Sequence, residues 1–141
     1  MGKVNYSYGI LIHPEELTNN MMEILLQIKP QVLGLHPIGG ADAVNSLNSL
    51  IDLRNDKEFS GKLNRLRKNG TKIEIECHAL GWLVPRSEFA EHPEWFRMNE
   101  KGERTPDCNI CSSNEQALAF LRKRSAELAR LLPSDTGRYY F

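Results

Sequence analysis

The sequence has no excess of charge of either sign, no long apolar run and no even set of cysteines. Its 18 basic residues balance its 18 acidic residues, so no overall field favours nucleic acid or an anionic membrane surface as a partner. Three cysteines indicate reduced thiols and not a disulfide framework. The N-terminus lacks an apolar signal-peptide run and no segment reaches membrane-spanning length, so we expect a cytoplasmic chain as written.

What the sequence does contain is enough apolar material for a core. Hydrophobic residues make up 40% of its 141 residues, which predicts one domain over residues 1–141. Residues 8–14 and 31–37 are short apolar runs that both end in His-Pro, and residues 72–82 begin with strict apolar-polar alternation. We interpret these as three strands, with residues 138–141 as a fourth.

Helical spacing fills the intervals between these strands. One helix is predicted from about Thr18 to Pro30, and two more lie between the second and third strands, the latter between Asp56 and Gly70. A capping box formed by Ser113 and Gln116 predicts the start of the longest helix. The order β-α-β-α-α-β-loop-α-β is typical of parallel strands joined by right-handed crossovers.

This order predicts an α/β fold in which parallel βα repeats form a partial TIM-type barrel, a half barrel of about four strands with flanking helices. A complete (β/α)₈ barrel needs about 250 residues, so we expect residues 1–141 to be the N-terminal fragment of one. A small open four-stranded sheet is the alternative. The apolar end of the chain would leave an edge strand exposed, which favours the fragment and also predicts homo-oligomers formed through open sheet edges.

Residues 79–113 form a long polar segment after the third strand, with no strand or helix period of their own. A loop of this length within a compact domain is usually functional. Cys108 and Cys111 in this segment have C-x-x-C spacing, but without a second pair we interpret them as structural thiols.

Side-chain parity predicts that three histidines converge. In the third strand Ile73, Ile75 and Cys77 should face the helices, which places His78 on the other side. The same test puts His13 and His36 at the equivalent ends of the first two strands. Neighbouring strands lie about 4.8 Å apart, so the three imidazoles are expected to meet near the mouth of the barrel.

Two kinds of chemistry fit this cluster. We favour hydrogen bonding to a substrate by His13, His36 and His78, and we expect neither a bound metal nor another cofactor, because no HxH or HExxH spacing occurs. The alternative is a metal-dependent hydrolase or isomerase that uses the same three histidines as ligands.

A carboxylate and two aromatic residues complete the predicted site. Glu76 lies on the inward face near the end of the third strand, where burial would raise its pKa toward general-acid catalysis. Trp82 and Trp95 are candidates for stacking on a sugar ring. Glycoside hydrolysis needs two carboxylates, and the sequence does not identify the second.

Three segments together resemble a known family: His-Ala-Leu-Gly-Trp at residues 78–82, Phe-Ala-Glu-His-Pro-Glu-Trp-Phe at residues 89–96, and Cys-Ser-Ser-Asn-Glu at residues 111–115. They resemble bacterial glycoside-hydrolase-like (β/α)₈ barrels of uncharacterised activity, relatives of the α-glucuronidase-like and family-ten-like hydrolases. The resemblance implies a barrel that binds oligo- or polysaccharide, with catalytic carboxylates at the ends of strand four and later strands. We therefore expect this chain to bind carbohydrate and, in isolation, to be inactive.

Overall fold

The protein is built on one parallel β-sheet with helices packed on one of its faces. A computed structural model describes residues 8–39, 43–107 and 109–140. In chain order the strands and α-helices are β1 (Gly9–Ile12), α1 (Asn19–Ile28), β2 (Val32–Leu35), α2 (Ala43–Leu53), α3 (Lys57–Lys68), β3 (Lys72–Glu76), α4 (Ala79–Trp82), α5 (Glu115–Leu131) and β4 (Tyr139–Tyr140). Short 3₁₀ turns occupy Pro14–Glu16, Arg86–Ala90 and Pro93–Trp95.

The four strands lie side by side in the order in which they occur along the chain. Every neighbouring pair is parallel, and Gly9, Val32 and Lys72 are aligned across β1, β2 and β3. The predicted α/β class, the four strand positions and the parallel pairing are therefore confirmed. Because β1, β2 and β3 start in register and have similar lengths, the residues that follow them meet at the carboxyl ends of the strands.

The two faces of the sheet have different surroundings. Ile73, Ile75 and Cys77 are buried in the main core against the helices, as side-chain parity predicted. On the opposite face Leu11 of β1 is 52% exposed, and no described helix covers it. This uncovered face carries Glu74 and Glu76, which alternate with the buried isoleucines of β3.

Side-chain caps fix where three of the helices begin. Thr18 Oγ1 accepts the Met21 N–H (3.2 Å) and Asp56 Oδ1 accepts the Phe59 N–H (2.7 Å), as expected for α1 and α3. For α5 the predicted capping box at Ser113 is wrong, because the cap is Asn114, whose Oδ1 accepts the Ala117 N–H at 2.9 Å. None of the helices in the described parts of the chain is long and apolar enough to span a bilayer.

The segment between β3 and α5 has its own small core. Val84, Trp95, Phe96, Ile110 and Ala117 form a second buried cluster, which pins the segment to α5. An isolated bridge between Phe96 and Ile110 closes the segment on itself, and the Ile110 N–H donates to the Leu80 carbonyl of α4 (3.0 Å). The segment therefore holds α4, and with it Trp82, in a fixed position beyond the sheet.

Candidate functional site

Three histidine rings meet at the carboxyl ends of β1, β2 and β3. His13 and His36 directly follow β1 and β2, and His78 lies two residues beyond β3. The ring centroids of His13 and His36 are 5.7 Å apart, and those of His36 and His78 are 5.3 Å apart. The structure therefore brings together the three histidines that the sequence grouped. We call them, with Trp82, the strand-end cluster.

Trp82 is the buried wall of this cluster. Its ring lies 5.1 Å from His36 and 5.1 Å from His78, in an edge-to-face arrangement with both. The backbone N–H of Trp82 donates to the His78 carbonyl (2.9 Å), so the helical turn of α4 holds the indole beside that histidine. Only 6% of Trp82 is exposed, which leaves little free ring face for stacking on a sugar. Its role in the geometry is to orient His36 and His78.

Two hydrogen bonds fix the orientation of His13, one made by its ring and one by its backbone. Nδ1 lies 2.7 Å from the His36 carbonyl oxygen, and the backbone N–H donates to Glu16 Oε2 at 2.7 Å. Because a carbonyl oxygen can only accept, Nδ1 carries the hydrogen when the ring is neutral. Nε2 is then an acceptor that can bind a hydroxyl group.

His36 is the central ring, and its charge state is set by its surroundings. Partial burial lowers the pKa of His36, and the neighbouring His78 and His13 lower it further, whereas the Glu76 carboxylate and the Pro37 carbonyl act in the opposite direction. Burial is the largest of these effects, so the pKa of His36 lies below the ordinary value for histidine. His36 is therefore neutral at pH 7 and can both donate and accept hydrogen bonds.

A groove of about 220 Å³ opens beside two of the three histidines. Its lining includes His13, His36, Glu16 and Glu76. A second depression, about 190 Å³, continues from Glu76 along the uncovered face of the sheet toward Gly9. Glu76 lines both, so one carboxylate joins the strand-end cluster to the open face.

The two glutamates of β3 have different roles. Glu74 is 6% exposed, accepts a hydrogen bond from Thr136 Oγ1 (2.5 Å) and lies 3.8 Å from the Arg138 guanidinium. Those partners tie β3 to the segment before β4. Glu76 is half-buried and borders the groove, so it is the carboxylate of β3 that a ligand can reach.

Glu16 is a site residue that the sequence reasoning missed. It lies in the 3₁₀ turn after β1, where strand parity gives no information, and it borders the same groove as Glu76. Its position three residues after His13 matches the spacing of a capping interaction, which is the signal that could have identified it.

Trp95 is not part of the strand-end cluster. It is 8% exposed in the second core cluster, stacked on His92 with ring centroids 4.1 Å apart and planes 6° from parallel. Its Nε1 lies 3.5 Å from Gln116 Oε1 of α5. The structure thus places Trp95 as a packing residue between the loop and α5.

Among the described residues, the cysteines and the potential metal-ligating side chains form no second site. Cys77 and Cys111 are free thiols, and Cys108 of the C-x-x-C motif lies outside the described residues. Burial raises the pKa of Cys77 to about 11, whereas the Ser113 N–H and Arg104 lower that of Cys111. Within the described ranges, no group of three or more His, Cys, Asp or Glu side chains is arranged to hold a metal ion.

Comparisons with known proteins add a fold likeness. No protein-family model and no curated protein sequence matches this chain. Among solved structures it is similar to a beta-galactosidase from the psychrophilic Marinomonas ef1, with a TM-score of 0.50 and 13% sequence identity. The match covers 88% of this chain and 19% of the other, so the chain spans about a fifth of that enzyme's length.

Proposed function

We propose that this chain is one part of a glycoside-hydrolase-like (β/α)₈ barrel and that it binds carbohydrate where β1, β2 and β3 end. The observation that carries the proposal is the convergence of His13, His36 and His78, of which His13 and His36 line a groove that also contains Glu76. In barrel enzymes, the carboxyl ends of the strands carry the functional residues.

The sheet supports the barrel part of the proposal. Its strands follow one another in chain order with parallel pairing, which is the arrangement of consecutive strands in a barrel. The uncovered face bears Leu11, Gly34 and Glu76, and in a barrel this face would line the interior. The likeness to a beta-galactosidase, a glycoside hydrolase, agrees with a sugar as the ligand.

The chemistry of the groove suits sugar hydroxyl groups. Each hydroxyl both donates and accepts, and a neutral imidazole offers the same pair of functions. His13 presents an acceptor nitrogen, because its Nδ1 is engaged with the His36 carbonyl. Glu76 adds a strong acceptor beside these rings.

Hydrolysis by the isolated chain is not part of the proposal. A glycosidase needs two carboxylates on either side of the scissile bond, and the second carboxylate of this groove, Glu16, is held by the His13 backbone N–H. We expect no turnover of an aryl β-galactoside above background. Robust turnover would contradict a purely binding role.

A titration of the four histidine side chains tests sugar binding. With galactose or glucuronate as the probe, we expect the imidazole NMR signals of His13, His36 and His78 to shift and those of His92 to stay unchanged. His36→Ala should abolish the response, because it removes the central ring of the cluster. His92→Ala is the matched control, since its ring stacks on Trp95 outside the cluster. Equal responses from both variants, or none from the parent protein, would refute the proposal.

Metal binding is an alternative use of the same three rings, which lie close together in a row. The geometry disfavours it, because these rings are not among any described group of side chains arranged to hold a metal ion. A metal-dependent hydrolase or isomerase would retain a transition metal at one equivalent through purification. Elemental analysis separates the alternatives, because a stoichiometric metal that His36→Ala removes would favour the metal enzyme over the sugar-binding site.

Self-association is a third candidate function, favoured by the exposed sheet. Within the described strands, β1 and β4 each pair with one neighbour only, and Leu11 is 52% exposed on the uncovered face. An interaction module would form dimers whose population falls when Leu11 is replaced by Lys. Light scattering that finds a monomer at all concentrations would exclude this function.

A further inference from the structure

A third cavity lies on the helix-covered side of the sheet, on the opposite side from the uncovered face. It has a volume of about 320 Å³ and lies between α3 and the C-terminal end of α5. Its apolar lining includes Leu35, Leu50, Phe59, Leu63, Ile73 and Leu132. This volume is at the lower end of the range for small-molecule sites in proteins, about 300–1,000 Å³.

Two arginines join the walls of this cavity. Arg54, which directly follows α2, donates from Nη1 to the Leu131 carbonyl at the end of α5 (2.9 Å). Arg67 of α3 donates from Nε to Asp135 Oδ2 (2.8 Å), in the segment that follows α5. These contacts connect α2 and α3 on one side of the cavity to the end of α5 and the following segment on the other, so hydrogen bonds hold its walls together.

The charge around the cavity is positive. Arg54, Arg67 and Arg130 all border it, and its described lining contains no Asp or Glu. Asp135 neutralises Arg67, but Arg54 contacts only an uncharged carbonyl oxygen, and Arg130 is exposed without an ion pair among the described residues. Two guanidinium groups are therefore available to an anion beside an apolar interior.

We infer that this cavity binds a small amphipathic carboxylate, with its apolar tail among the core side chains and its carboxylate at Arg130 and Arg54. Burial of the tail removes apolar surface from water, which favours binding. The guanidinium fork matches the geometry of a carboxylate, which gives the site its preference for acids over alcohols. The site lies on the other face of the sheet from the strand-end cluster, so it is independent of carbohydrate binding.

Octanoate is a suitable probe, with 1-octanol as its uncharged counterpart. Titrated at low salt and followed by backbone amide NMR, octanoate should saturate at one equivalent and shift the signals of Ser60, Leu63 and Leu131. Octanol should bind more weakly. No saturable shift at these residues, or equal affinity for octanol, would overturn the inference.

Two variants separate the charge from the cavity. Arg130→Gln should weaken octanoate binding about threefold, the size expected for an exposed ion pair, and leave octanol unaffected. Arg122→Gln is the control, because it removes an exposed arginine from the same helix away from the cavity. Leu63→Trp should fill the space and abolish binding of both probes. If Leu63→Trp fails to fold, the Arg130→Gln and Arg122→Gln pair still decides, since equal affinities for octanoate would refute the carboxylate site.

Discussion

In the described part of the molecule, histidine and tryptophan rings meet at two places that differ in what surrounds them. At the strand ends His36 meets Trp82 edge-to-face, with ring planes 67° apart, whereas in the loop His92 and Trp95 are stacked with planes 6° apart. Both indoles are buried, 6% and 8% exposed respectively. Burial of an aromatic ring is therefore not what distinguishes a candidate site from a packing contact.

The difference lies in the elements that supply the neighbours. His36 is grouped with His13 and His78, so three separate strands bring polar side chains to one place. Around Trp95 the neighbours other than His92 include Phe120 and Gln116, both from α5, which anchors the loop. Convergence of several strand ends concentrates polar groups beside a groove, while a loop packed on one helix produces a second small core.

Replacing each tryptophan by alanine tests this comparison with the largest effect. Truncation of a buried tryptophan typically costs about 3–5 kcal/mol, and we expect both Trp82→Ala and Trp95→Ala to lose stability in this range, measured by urea denaturation. Their sugar binding should differ. Under conditions in which it is folded, Trp95→Ala should bind galactose like the parent protein. Trp82→Ala should lose galactose binding, because the indole no longer orients His36 and His78.

Conservative variants keep this test informative if truncation unfolds the protein. Trp82→Phe retains an aromatic wall and should keep partial galactose binding, while Trp95→Phe should not alter binding. A folded Trp95 variant that loses galactose as completely as its Trp82 counterpart would remove the distinction between the two contacts.

Glycine substitutions give an intermediate effect. A Cβ at Gly39 would lie 3.0 Å from Trp82 Cζ2, so Gly39→Ala should push the indole and cost about 1–3 kcal/mol. Gly61→Ala is the control, because the added methyl meets nothing within 4 Å in α3 and should stabilise that helix by about 0.5–1 kcal/mol. Denaturation curves measure both, and a neutral Gly39→Ala would show that Trp82 is not tightly held.

Much of the strand-end geometry could be predicted from sequence, because strands have a period of two residues. Once Ile73 and Ile75 were assigned to the helix side, parity alone assigned Glu76 and His78 to the other. Parallel strands in register then brought His13 and His36 beside His78. The prediction succeeded here because local periodicity and tertiary packing specify the same arrangement.

Other parts of the chain have neither strand nor helix periodicity in their sequence, so the positions of their residues could not be predicted. Glu16 lies in a 3₁₀ turn, and the position of Trp95 depends on packing against α5, a contact between parts of the chain about 20 residues apart. The cap of α5 was missed by one residue, because Ser113 and Asn114 are both good caps and tertiary contacts decide between them.

The smallest expected effect concerns the charge of His36. Burial lowers the folded-state pKa of His36 below 6.5, and Glu76 partly opposes this by stabilising the imidazolium. Between the folded pKa and about 6.5 the unfolded chain binds more protons than the folded one. The stability contributed by neutral His36 is therefore complete above that range and is lost as the pH falls through it.

Glu76→Gln removes the carboxylate charge that raises the pKa of His36, so the pKa of His36 measured by NMR titration should fall further. The loss of folding stability at acidic pH should then extend to lower pH. The loop contact supplies the control. There Glu94 Oε1 lies 3.5 Å from His92 Nδ1, and Glu94→Gln should leave the titration of His36 unchanged. An unchanged or raised pKa of His36 in Glu76→Gln would mean that this carboxylate does not act on the central ring. The strand-end contact would then differ from the loop contact in geometry but not in electrostatics.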